Sequence, residues 1–384
     1  MKKRLVAMIM GCMLAVTAVG CGGSKTAETV ENTEAAEETA EAGNEEEADA
    51  GESEDGALEE NAEETEDAAL EENAEEAEAS KEAATEGEEA EAGSFTDRSG
   101  NEITLPEKAE AIISMAPSTT QVLIDLGLGD KIVACDTYSY ASFESELNAD
   151  IPQFDMMTPD QEQIIALGAD IIFTSGMSAS GGTDVFEAVR ESGACVADIP
   201  SSASLADIEK DIEFIGECVG KESEAESIVN LMQTKIDELA EIGKSIPEEE
   251  KKTVLFELYT PSAENPMIYT AGKGTYINEM LEVIGAKNVA ESEADQWPAL
   301  SEESAVASNP DVILTADMYT PDVINTILSM KGWENVNAVV NKEVYQLDGD
   351  AVNRPNHHVI DAMIEMATSI YPDKYSDEAL DDAA

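Results

Sequence analysis

Residues 158–176, Thr-Pro-Asp-Gln-Glu-Gln-Ile-Ile-Ala-Leu-Gly-Ala-Asp-Ile-Ile-Phe-Thr-Ser-Gly, are echoed by residues 299–317, Ala-Leu-Ser-Glu-Glu-Ser-Ala-Val-Ala-Ser-Asn-Pro-Asp-Val-Ile-Leu-Thr-Ala-Asp. In each copy a glutamate, Glu162 or Glu303, stands eight residues before an aspartate that opens an apolar run. A repeat with this separation indicates two similar lobes rather than an array of short units. We therefore expect a chain that holds a ligand between its lobes and presents both lobes to a partner.

A second pair of segments occurs in the same order. Residues 113–134 contain an apolar run, a helical stretch that ends in Leu-Gly, and a Lys-x-Val-Ala sequence. Residues 268–290 repeat this order, with Ile-Gly in place of Leu-Gly, so that Ile113-Ser-Met-Ala is matched with Ile268-Tyr-Thr-Ala. Two echoes in one order support a duplicated lobe.

The hydrophobic pattern predicts alternating strands and helices. Apolar runs predict strands at 111–115, 131–135, 170–174, 195–199, 253–258, 267–270, 311–315 and 343–347. Helical periodicity predicts helices at 119–126, 159–167, 203–219, 275–284, 302–308, 321–330 and 356–370. This alternation predicts an α/β fold with two Rossmann-like lobes, whose parallel sheets are covered on both faces. Ligands of such folds bind outside the carboxyl ends of the strands.

One predicted helix differs in length from the others. From 221 to 244, apolar residues recur at spacings of three and four, which predicts a rod of roughly 33 Å. This segment falls between the repeated halves, so we expect lobes at 94–220 and 245–384 that are joined by a single helix. A simple crossover helix within one lobe has the same periodicity and stays open as an alternative.

The amino terminus has the layout of a secretory signal. Three basic residues precede an apolar stretch at 5–19, which is shorter than the ~20 residues of a membrane-spanning helix. The stretch ends in Ala-Val-Gly-Cys, which resembles the lipobox of bacterial lipoproteins, and this implies a signal peptide at 1–20 and lipidation of Cys21. An ordinary secretory signal with a chance cysteine is the alternative. Either way, we expect an extracytoplasmic protein, tethered to a membrane if Cys21 is lipidated.

Residues 21–93 are expected to form a disordered, acidic spacer. Between 22 and 93 there are 29 acidic residues, two lysines and no aromatic residue, so no hydrophobic core can form. The remaining residues, 94–384, carry 16 basic and 55 acidic side chains, a net charge of −39. Such a domain repels nucleic acid and anionic lipid surfaces, which excludes both as expected partners.

Catalytic chemistry is not expected. The segment at 176–180, Gly-Met-Ser-Ala-Ser, lacks the second glycine of a nucleophile elbow. The segment at 271–275, Ala-Gly-Lys-Gly-Thr, has Gly274 directly after the lysine, where a phosphate-binding loop has a serine or threonine. It also lacks the upstream glycine of such a loop. The cysteines at 135, 195 and 218 do not have the spacing of a metal site; at most one disulfide can form, and we expect three free, mostly buried thiols.

The chain resembles the substrate-binding lipoproteins and periplasmic proteins of bacterial ABC importers for cobalamin, ferric siderophores and haem. The resemblance covers essentially all of 94–384. Besides the repeated segments, it rests on runs that begin at Ile112 (Ile-Ile-Ser-Met-Ala-Pro-Ser-Thr-Thr), Leu126 (Leu-Gly-Leu-Gly-Asp-Lys-Ile-Val), Ile284 (Ile-Gly-Ala-Lys-Asn-Val-Ala), Asn309 (Asn-Pro-Asp-Val-Ile-Leu) and Arg354 (Arg-Pro-Asn-His-His-Val-Ile-Asp). It implies a monomer with two α/β lobes, one connecting helix and a ligand in the cleft. It also implies that Glu162 and Glu303 pair with arginines of the permease.

The pattern is closest to the cobalamin-binding branch. That resemblance implies ligand contacts at Tyr138, at Trp297 of a Trp-Pro pair, and at Arg354, which Asp350 precedes. Flat aromatic faces can cover a corrinoid, and the charged pair can bind its amides. Trp297, flanked by proline in a polar stretch, is expected at an edge rather than in the core.

The ligand has alternatives within the same family. Where the cobalamin-binding branch often has further tryptophans, this chain has Phe154 and Ser175, the latter in a glycine-rich loop. Ferric catecholates and haem propionates are anionic and need several basic residues, whereas this domain is strongly acidic. A ferric hydroxamate stays possible, and Tyr276, Met177 and the pair His357-His358 keep haem open. A surface-anchored adhesion or signalling module would use the same tether.

No metal site and no cofactor other than the bound ligand are expected. The chain has two histidines, His357 and His358, and the pattern places both on a predicted helix. Neighbouring helical residues point ~100° apart, so the two rings are not expected to bind one metal ion from the same helix face.

Overall fold

The computed structural model describes residues 95–179, 182–262 and 265–376. The predicted signal peptide, Cys21 and the acidic spacer lie outside the described residues, and so do residues 180–181 of the glycine-rich loop. Within the described part of the chain, no helix is long and apolar enough to cross a membrane.

The first half of the described chain, residues 95–220, is built around one sheet. Its strands are β1 Phe95–Thr96, β2 Glu102–Ile103, β3 Ile112–Ser114, β4 Ile132–Asp136, β5 Gln153–Phe154, β6 Ile171–Ser175 and β7 Cys195–Ile199. Strands β3 to β7 form a parallel sheet in the order β5-β4-β3-β6-β7, and β1 and β2 form a separate antiparallel pair. The helices are α1 Pro117–Asp125, α2 Thr137–Phe143, α3 Gln161–Leu167, α4 Glu187–Glu191 and α5 Leu205–Val219.

A long helix, α6 Glu222–Ser245, leads into the second half, residues 246–376. The strands there are β8 Thr253–Glu257, β9 Ile268–Tyr269, β10 Lys287–Asn288, β11 Ala299–Leu300, β12 Val312–Thr315 and β13 Val344–Gln346. Four of them form a parallel sheet in the order β10-β8-β12-β13, while β9 and β11 form an antiparallel pair. The helices are α7 Tyr276–Val283, α8 Glu302–Ser308, α9 Val323–Leu328, α10 Asn337–Asn341, α11 Gly349–Asn353 and α12 Val359–Ile370.

The predicted α/β fold class with parallel sheets is confirmed. Each of the eight predicted strands has a counterpart, although the run at 267–270 lies outside the second parallel sheet, in the antiparallel pair. The pattern missed α2, α4, α10 and α11, which have five to seven residues each. Three of them have five residues, which make fewer than one and a half turns, and this is too short for a 3.6-residue period to stand out.

The repeated segments adopt the same local structure. Helix α3 passes through Gly168 into β6, and α8 passes through Asn309 into β12. Both turn residues have a left-handed backbone, with φ of 60° at Gly168 and 47° at Asn309. Glycine and asparagine are the residues that adopt this conformation most readily, so they end the two helices at equivalent points.

Asp170 and Asp311 tie each repeat to the neighbouring strand. The N–H of Asp170 donates to the Ala111 carbonyl at 2.8 Å, and its Oδ2 accepts the Ala111 N–H at 2.9 Å. Asp311 makes the same pair of bonds with Thr253, at 2.9 and 3.0 Å. The aspartate of the repeat therefore anchors the start of the pairings β3–β6 and β8–β12, which explains why it opens each apolar run.

The second sequence echo is only partly structural. Its helices, α1 and α7, and the strands that follow them, β4 and β10, occupy corresponding places in the two sheets. However, residues 113–116 begin within the parallel strand β3, whereas residues 268–271 begin with the antiparallel strand β9. The counterpart of β3 is β8, so the alignment of 113–116 with 268–271 was wrong. An inserted excursion between β8 and α7 separates the two apolar runs.

One hydrophobic core connects the two halves. One face of each sheet contributes to it, with Ile112 and Phe173 from the first and Phe256 and Leu314 from the second. Met232 and Leu239 of α6 belong to the same cluster, together with residues of α5, α7 and α12. The other face of each sheet has a cluster of its own. The halves are thus packed through α6 rather than joined by a free linker.

Helix α6 lies against α7 at a point where only glycine fits. A Cβ atom added at Gly243 would lie 2.2 Å from the Val283 carbonyl oxygen and 2.9 Å from the Ile284 carbonyl carbon. Both atoms belong to the backbone and cannot rotate away. The absence of a side chain at Gly243 therefore sets the distance between the two helices.

We expect Gly243→Ala to destabilise the protein by about 1–3 kcal/mol, because overpacking outweighs the gain of up to ~1 kcal/mol that alanine brings to a helix. Urea unfolding followed by circular dichroism measures the change. The control is Glu241→Ala, an exposed position on the same helix, where the change should stay below about 0.5 kcal/mol. A Gly243→Ala protein as stable as the wild type would contradict the close approach.

Candidate functional site

Three tyrosines lie at the carboxyl ends of the two parallel sheets. Tyr138 follows β4, Tyr259 follows β8, and Tyr319 follows β12. Burial raises the pKa of Tyr259, and charge interactions with Tyr319, Asp317 and Tyr138 raise it further. Arg354, which follows β13 and α11 in the second half, donates to the Oγ atom of Ser142 in α2, directly after β4 of the first half, at 2.7 Å. The two sheet ends therefore face a common space, at the edge where parallel α/β folds bind ligands.

Two aspartates hold these tyrosines in place. Asp136 Oδ1 accepts the Tyr138 N–H at 2.8 Å, and Asp317 Oδ1 accepts the Tyr319 N–H at 2.8 Å. Asp317 Oδ2 also accepts the Thr260 N–H at 3.0 Å. Burial alone would raise the pKa of Asp317, but hydrogen bonds from the neighbouring hydroxyl and backbone N–H groups outweigh it and lower that pKa. Asp317 is thus a carboxylate that orders the loops around the site.

Glu257 introduces a second, quite different carboxyl group at this edge. It ends β8 and is fully buried, and neither of its carboxyl oxygens has a hydrogen-bond partner among the described residues. Burial raises the pKa of Glu257 to about 8, with a further contribution from Asp317. At neutral pH the group is therefore a neutral carboxylic acid, since an unpaired buried carboxylate would be costly.

This raised pKa predicts a loss of stability with rising pH. The ordinary pKa is 4.5 and the folded value about 8, so between these values the folded chain keeps a proton that the unfolded chain loses. The contribution of Glu257 to the free energy of unfolding therefore declines between about pH 4.5 and pH 8, and it is constant above that range. We expect Glu257→Gln, which is neutral at every pH, to raise Tm at pH 8.5 by at least about 5 °C.

Thermal unfolding at pH 5.5, 7.0 and 8.5 measures this difference. Glu241→Gln, at an exposed position, is the control and should follow the wild type at each pH. Parallel pH profiles for Glu257→Gln and the wild type would show that Glu257 does not titrate in this way.

Arg354 links the two halves beside a cavity of about 480 Å³. Its Nη2 donates to Ser142 Oγ at 2.7 Å and to Asp350 Oδ1 at 2.6 Å. Its Cζ lies 5.4 Å from the centroid of the Phe143 ring, within the range of a cation–π contact. Asp350 and Arg354, which were predicted as ligand contacts, both line this cavity. They form an ion pair with each other there.

Trp297 lies at an edge, as predicted. Its side chain is 45 % exposed, in the segment that precedes β11. The flanking residues are fixed, because the Gln296 carbonyl accepts the Gly272 N–H at 2.7 Å and the Pro298 carbonyl accepts the Thr270 N–H at 3.1 Å. A rigid backbone therefore presents the indole to solvent.

Three other predicted contact residues occupy different environments. Phe154 is 5 % exposed and packs in the core cluster on the outer face of the first sheet. Tyr276 is buried, and its hydroxyl donates to the Val352 carbonyl at 3.0 Å. Neither ring is open to a ligand in this arrangement. Ser175 ends β6, and its hydroxyl oxygen is buried without a hydrogen-bond partner among the described residues, so it is not open to a ligand in this arrangement either.

Glu162 and Glu303 have matching positions. Each is the second residue of a seven-residue helix, α3 or α8, and each is exposed. Each helix begins with a side-chain cap: Asp160 accepts the N–H of the residue three positions on at 3.0 Å, and Ser301 does so at 3.1 Å. The two helices therefore have the same form, with a side-chain cap at the first turn and a left-handed residue at the C-terminal end.

His357 and His358 require a correction. The expectation that their rings point apart was wrong, because both residues lie in the turn before α12 and the helical spacing of ~100° does not apply. Their Nε2 atoms lie 3.0 and 3.3 Å from Asp125 Oδ2, at the end of α1. Hydrogen bonds to Asp125 and Asp361, which outweigh burial, raise the pKa of His358 to about 9.

Tyr259 and Glu257 each have a signal in the sequence. The resemblance implied Tyr138, an aromatic residue that follows a predicted strand, and Tyr259 has the corresponding position directly after the strand at 253–258. Glu257 interrupts an apolar run with a single acidic residue, which is unusual for a buried strand. Asp125 had no such signal, because its partners lie at the other end of the chain.

Residues 112–351, more than half of the chain, match the sequence profile of a family described as periplasmic binding protein. The chain belongs to the periplasmic binding protein family. It is 34% identical over 286 residues to the uncharacterized ABC transporter substrate-binding lipoprotein YvrC of Bacillus subtilis (strain 168), which covers 73% of this chain and 86% of that protein. As a family member it is an extracytoplasmic solute-binding protein, and its relatives bind substrates rather than transform them.

Two further periplasmic binding proteins show the range of the family. The vitamin B12-binding protein of Vibrio parahaemolyticus serotype O3:K6 (strain RIMD 2210633) is 26% identical over 262 residues, covering 68% of this chain and 89% of that protein. The structure of the molybdate-bound protein MolA of Haemophilus influenzae superposes with a TM-score of 0.64 at 21% identity, covering 75% of this chain and 94% of that one. The second likeness is one of fold.

Proposed function

We propose that this protein captures a corrinoid of the cobalamin type outside the cytoplasm and delivers it to the permease of an ABC importer. The observation that carries the delivery step is the pair of exposed glutamates, Glu162 and Glu303, at equivalent points of two matching helices. Two equal negative charges, one on each lobe, suit a two-fold membrane partner that offers arginines. The relative YvrC, an ABC transporter substrate-binding lipoprotein, supports the same class of partner.

The docking proposal separates delivery from capture. We expect the double variant Glu162→Arg, Glu303→Arg to reduce ligand uptake by cells at least about 30-fold, because it replaces two attractive charge pairs with repulsion. Ligand affinity of the purified protein should not change, since both glutamates are exposed on the surfaces of their helices. Uptake of labelled cobalamin and calorimetry measure the two quantities.

Glu241→Arg is the matched control, because it reverses the charge of an exposed glutamate on α6 and should leave uptake unaltered. Normal uptake by the double variant would remove the docking role. Loss of ligand affinity in the double variant would instead assign the glutamates to the binding site.

The corrinoid is supported by the chemistry of the site. Exposed or half-buried aromatic rings at Tyr138, Tyr319 and Trp297 offer flat faces for a macrocycle with apolar edges. Arg354 is already paired with Asp350, so it adds no net positive charge. A strongly anionic ligand would therefore meet an acidic domain with little compensation, whereas a nearly neutral corrinoid would not.

The fluorescence of two tryptophans makes the ligand testable. We expect cobalamin to bind with 1:1 stoichiometry and submicromolar Kd, and to quench the exposed Trp297 much more than the buried Trp333. Trp297→Ala should weaken binding at least about tenfold, because it removes a flat aromatic contact. Leu231→Ala, at a 64 % exposed apolar position on α6, is the control and should bind normally.

If cobalamin gave neither a heat of binding in calorimetry nor fluorescence quenching, the proposal that the ligand is a corrinoid would be wrong. Binding of haem or of a ferric hydroxamate by the same preparation would then identify the alternative ligand class within the family.

The amino-terminal region supplies the rest of the proposal. A lipid on Cys21 would anchor the protein, and the acidic segment that follows would keep the binding lobes, 94–220 and 245–384, clear of the membrane surface. In this proposal the helix at 221–244 connects the lobes.

A further inference from the structure

Asp125, His357 and His358 converge from opposite ends of the domain. Asp125 is the last residue of α1, whereas the histidines lie in the turn before α12, and 233 residues separate Asp125 from His358. One carboxylate oxygen and one nitrogen from each ring all lie within 4.8 Å of one another. The ring centroids of the histidines are 4.4 Å apart, with the planes inclined at 41°.

These distances match the spacing of ligands around a small metal ion. With bonds of about 2.0–2.1 Å to nitrogen and oxygen, two ligands of a tetrahedral ion lie ~3.3–3.4 Å apart. Asp125 Oδ2 is 3.0 Å from His357 Nε2 and 3.3 Å from His358 Nε2. An ion could therefore replace the two hydrogen bonds with little change in the oxygen–nitrogen distances, while the ligand atoms of the two histidines, which lie within 4.8 Å of each other, adjust to the ion.

The surrounding groups fit a metal ligand set. Asp361 Oδ2 lies 2.9 Å from His358 Nδ1, so it can hold the Nδ1 proton while Nε2 gives up its own proton to solvent as the ion binds. A carboxylate behind a coordinating histidine is the usual outer partner of such sites. Gln121 Nε2 donates to Asp125 Oδ2 at 2.8 Å and orients that carboxylate.

The site can be reached from solvent, and the tautomer of the His357 ring is not fixed by a hydrogen bond at Nδ1 within the described residues. His358 and Asp361 line the cavity of about 480 Å³, so an ion and its remaining water ligands can reach the site from solvent. His357 Nδ1 is buried without a hydrogen-bond partner among the described residues, so no such bond fixes the tautomer of this ring. His357 can therefore present an unprotonated Nε2.

We propose that Asp125, His357 and His358 bind a divalent d-block cation such as Zn²⁺, and that this ion fastens α1 to the turn before α12. Two imidazoles and one carboxylate suit Zn²⁺ or Co²⁺, whereas Ca²⁺ and Mg²⁺ prefer oxygen ligands alone. The strongly acidic domain favours the approach of a cation. Because the ligands come from both halves of the chain, the bound ion resists their separation beside the Arg354 contact.

The full-length protein allows a direct test, because His357 and His358 are its only two histidines. We expect the Hε1 proton NMR signals of both rings to shift together on addition of Zn²⁺ and to saturate at one equivalent. With Co²⁺ as the probe, visible d–d absorption should appear with the same stoichiometry. The wild-type result needs no variant, so it stands even if a substitution impairs folding.

Variants then identify the ligands. Asp125→Asn, His357→Ala and His358→Ala should each lower Co²⁺ affinity at least about 100-fold, and Asp361→Asn about 10–100-fold. Glu365→Gln is the matched control, since Glu365 lines the same cavity without belonging to the three-residue set, and it should bind normally. The acidic segment contributes the same weak background in every variant.

Two results would overturn the proposal. One is a wild-type protein whose histidine signals do not move with one equivalent of Zn²⁺. The other is Co²⁺ affinity that is equal in the wild type, His357→Ala and His358→Ala, which would assign the binding to carboxylates elsewhere.

Discussion

A continuous hydrophobic core, running from one face of the first sheet through α6 to one face of the second, determines how the two halves are positioned. Both sheets contribute buried strands to it, and α5, α7 and α12 complete it. Gly243 allows α6 to approach the α7 backbone closely, so the spacing is set by main-chain contact rather than by adaptable side chains. Both sheets pack on this core, and the hydrogen bond from Arg354 to Ser142 joins their carboxyl ends beside a common space.

The same arrangement divides the acidic residues into distinct physical roles. Asp170 and Asp311 anchor strand starts, and Asp136 and Asp317 order the loops after the strands, in each case by accepting backbone N–H groups. Glu257 is buried without a hydrogen-bond partner among the described residues and keeps its proton. Net charge alone would treat all of these groups as equivalent, whereas burial and hydrogen bonding determine which are charged and which are available to a partner.

Much of the fold could be predicted from local patterns. The strands at 171–175 and 312–315 are apolar runs of four to five residues, and the helices before them have caps that the sequence displays. The edge position of Trp297 followed from its polar, proline-containing surroundings. The core positions of Phe154 and Tyr276 did not, because an aromatic residue carries the same local signal whether it lines a cleft or fills a core.

The sequence by itself determined the alternation of strands and helices, the duplication with Glu162 and Glu303 at equivalent points, and the long helix between the repeats. These features depend on residues that are near in sequence, where periodicity and capping act directly. Only the tertiary structure decided that Arg354 contacts Ser142, that the Glu257 carboxyl group is fully buried, and that Asp125 meets His357 and His358. Such contacts join residues up to 233 positions apart, and their existence depends on how whole helices pack rather than on any local pattern.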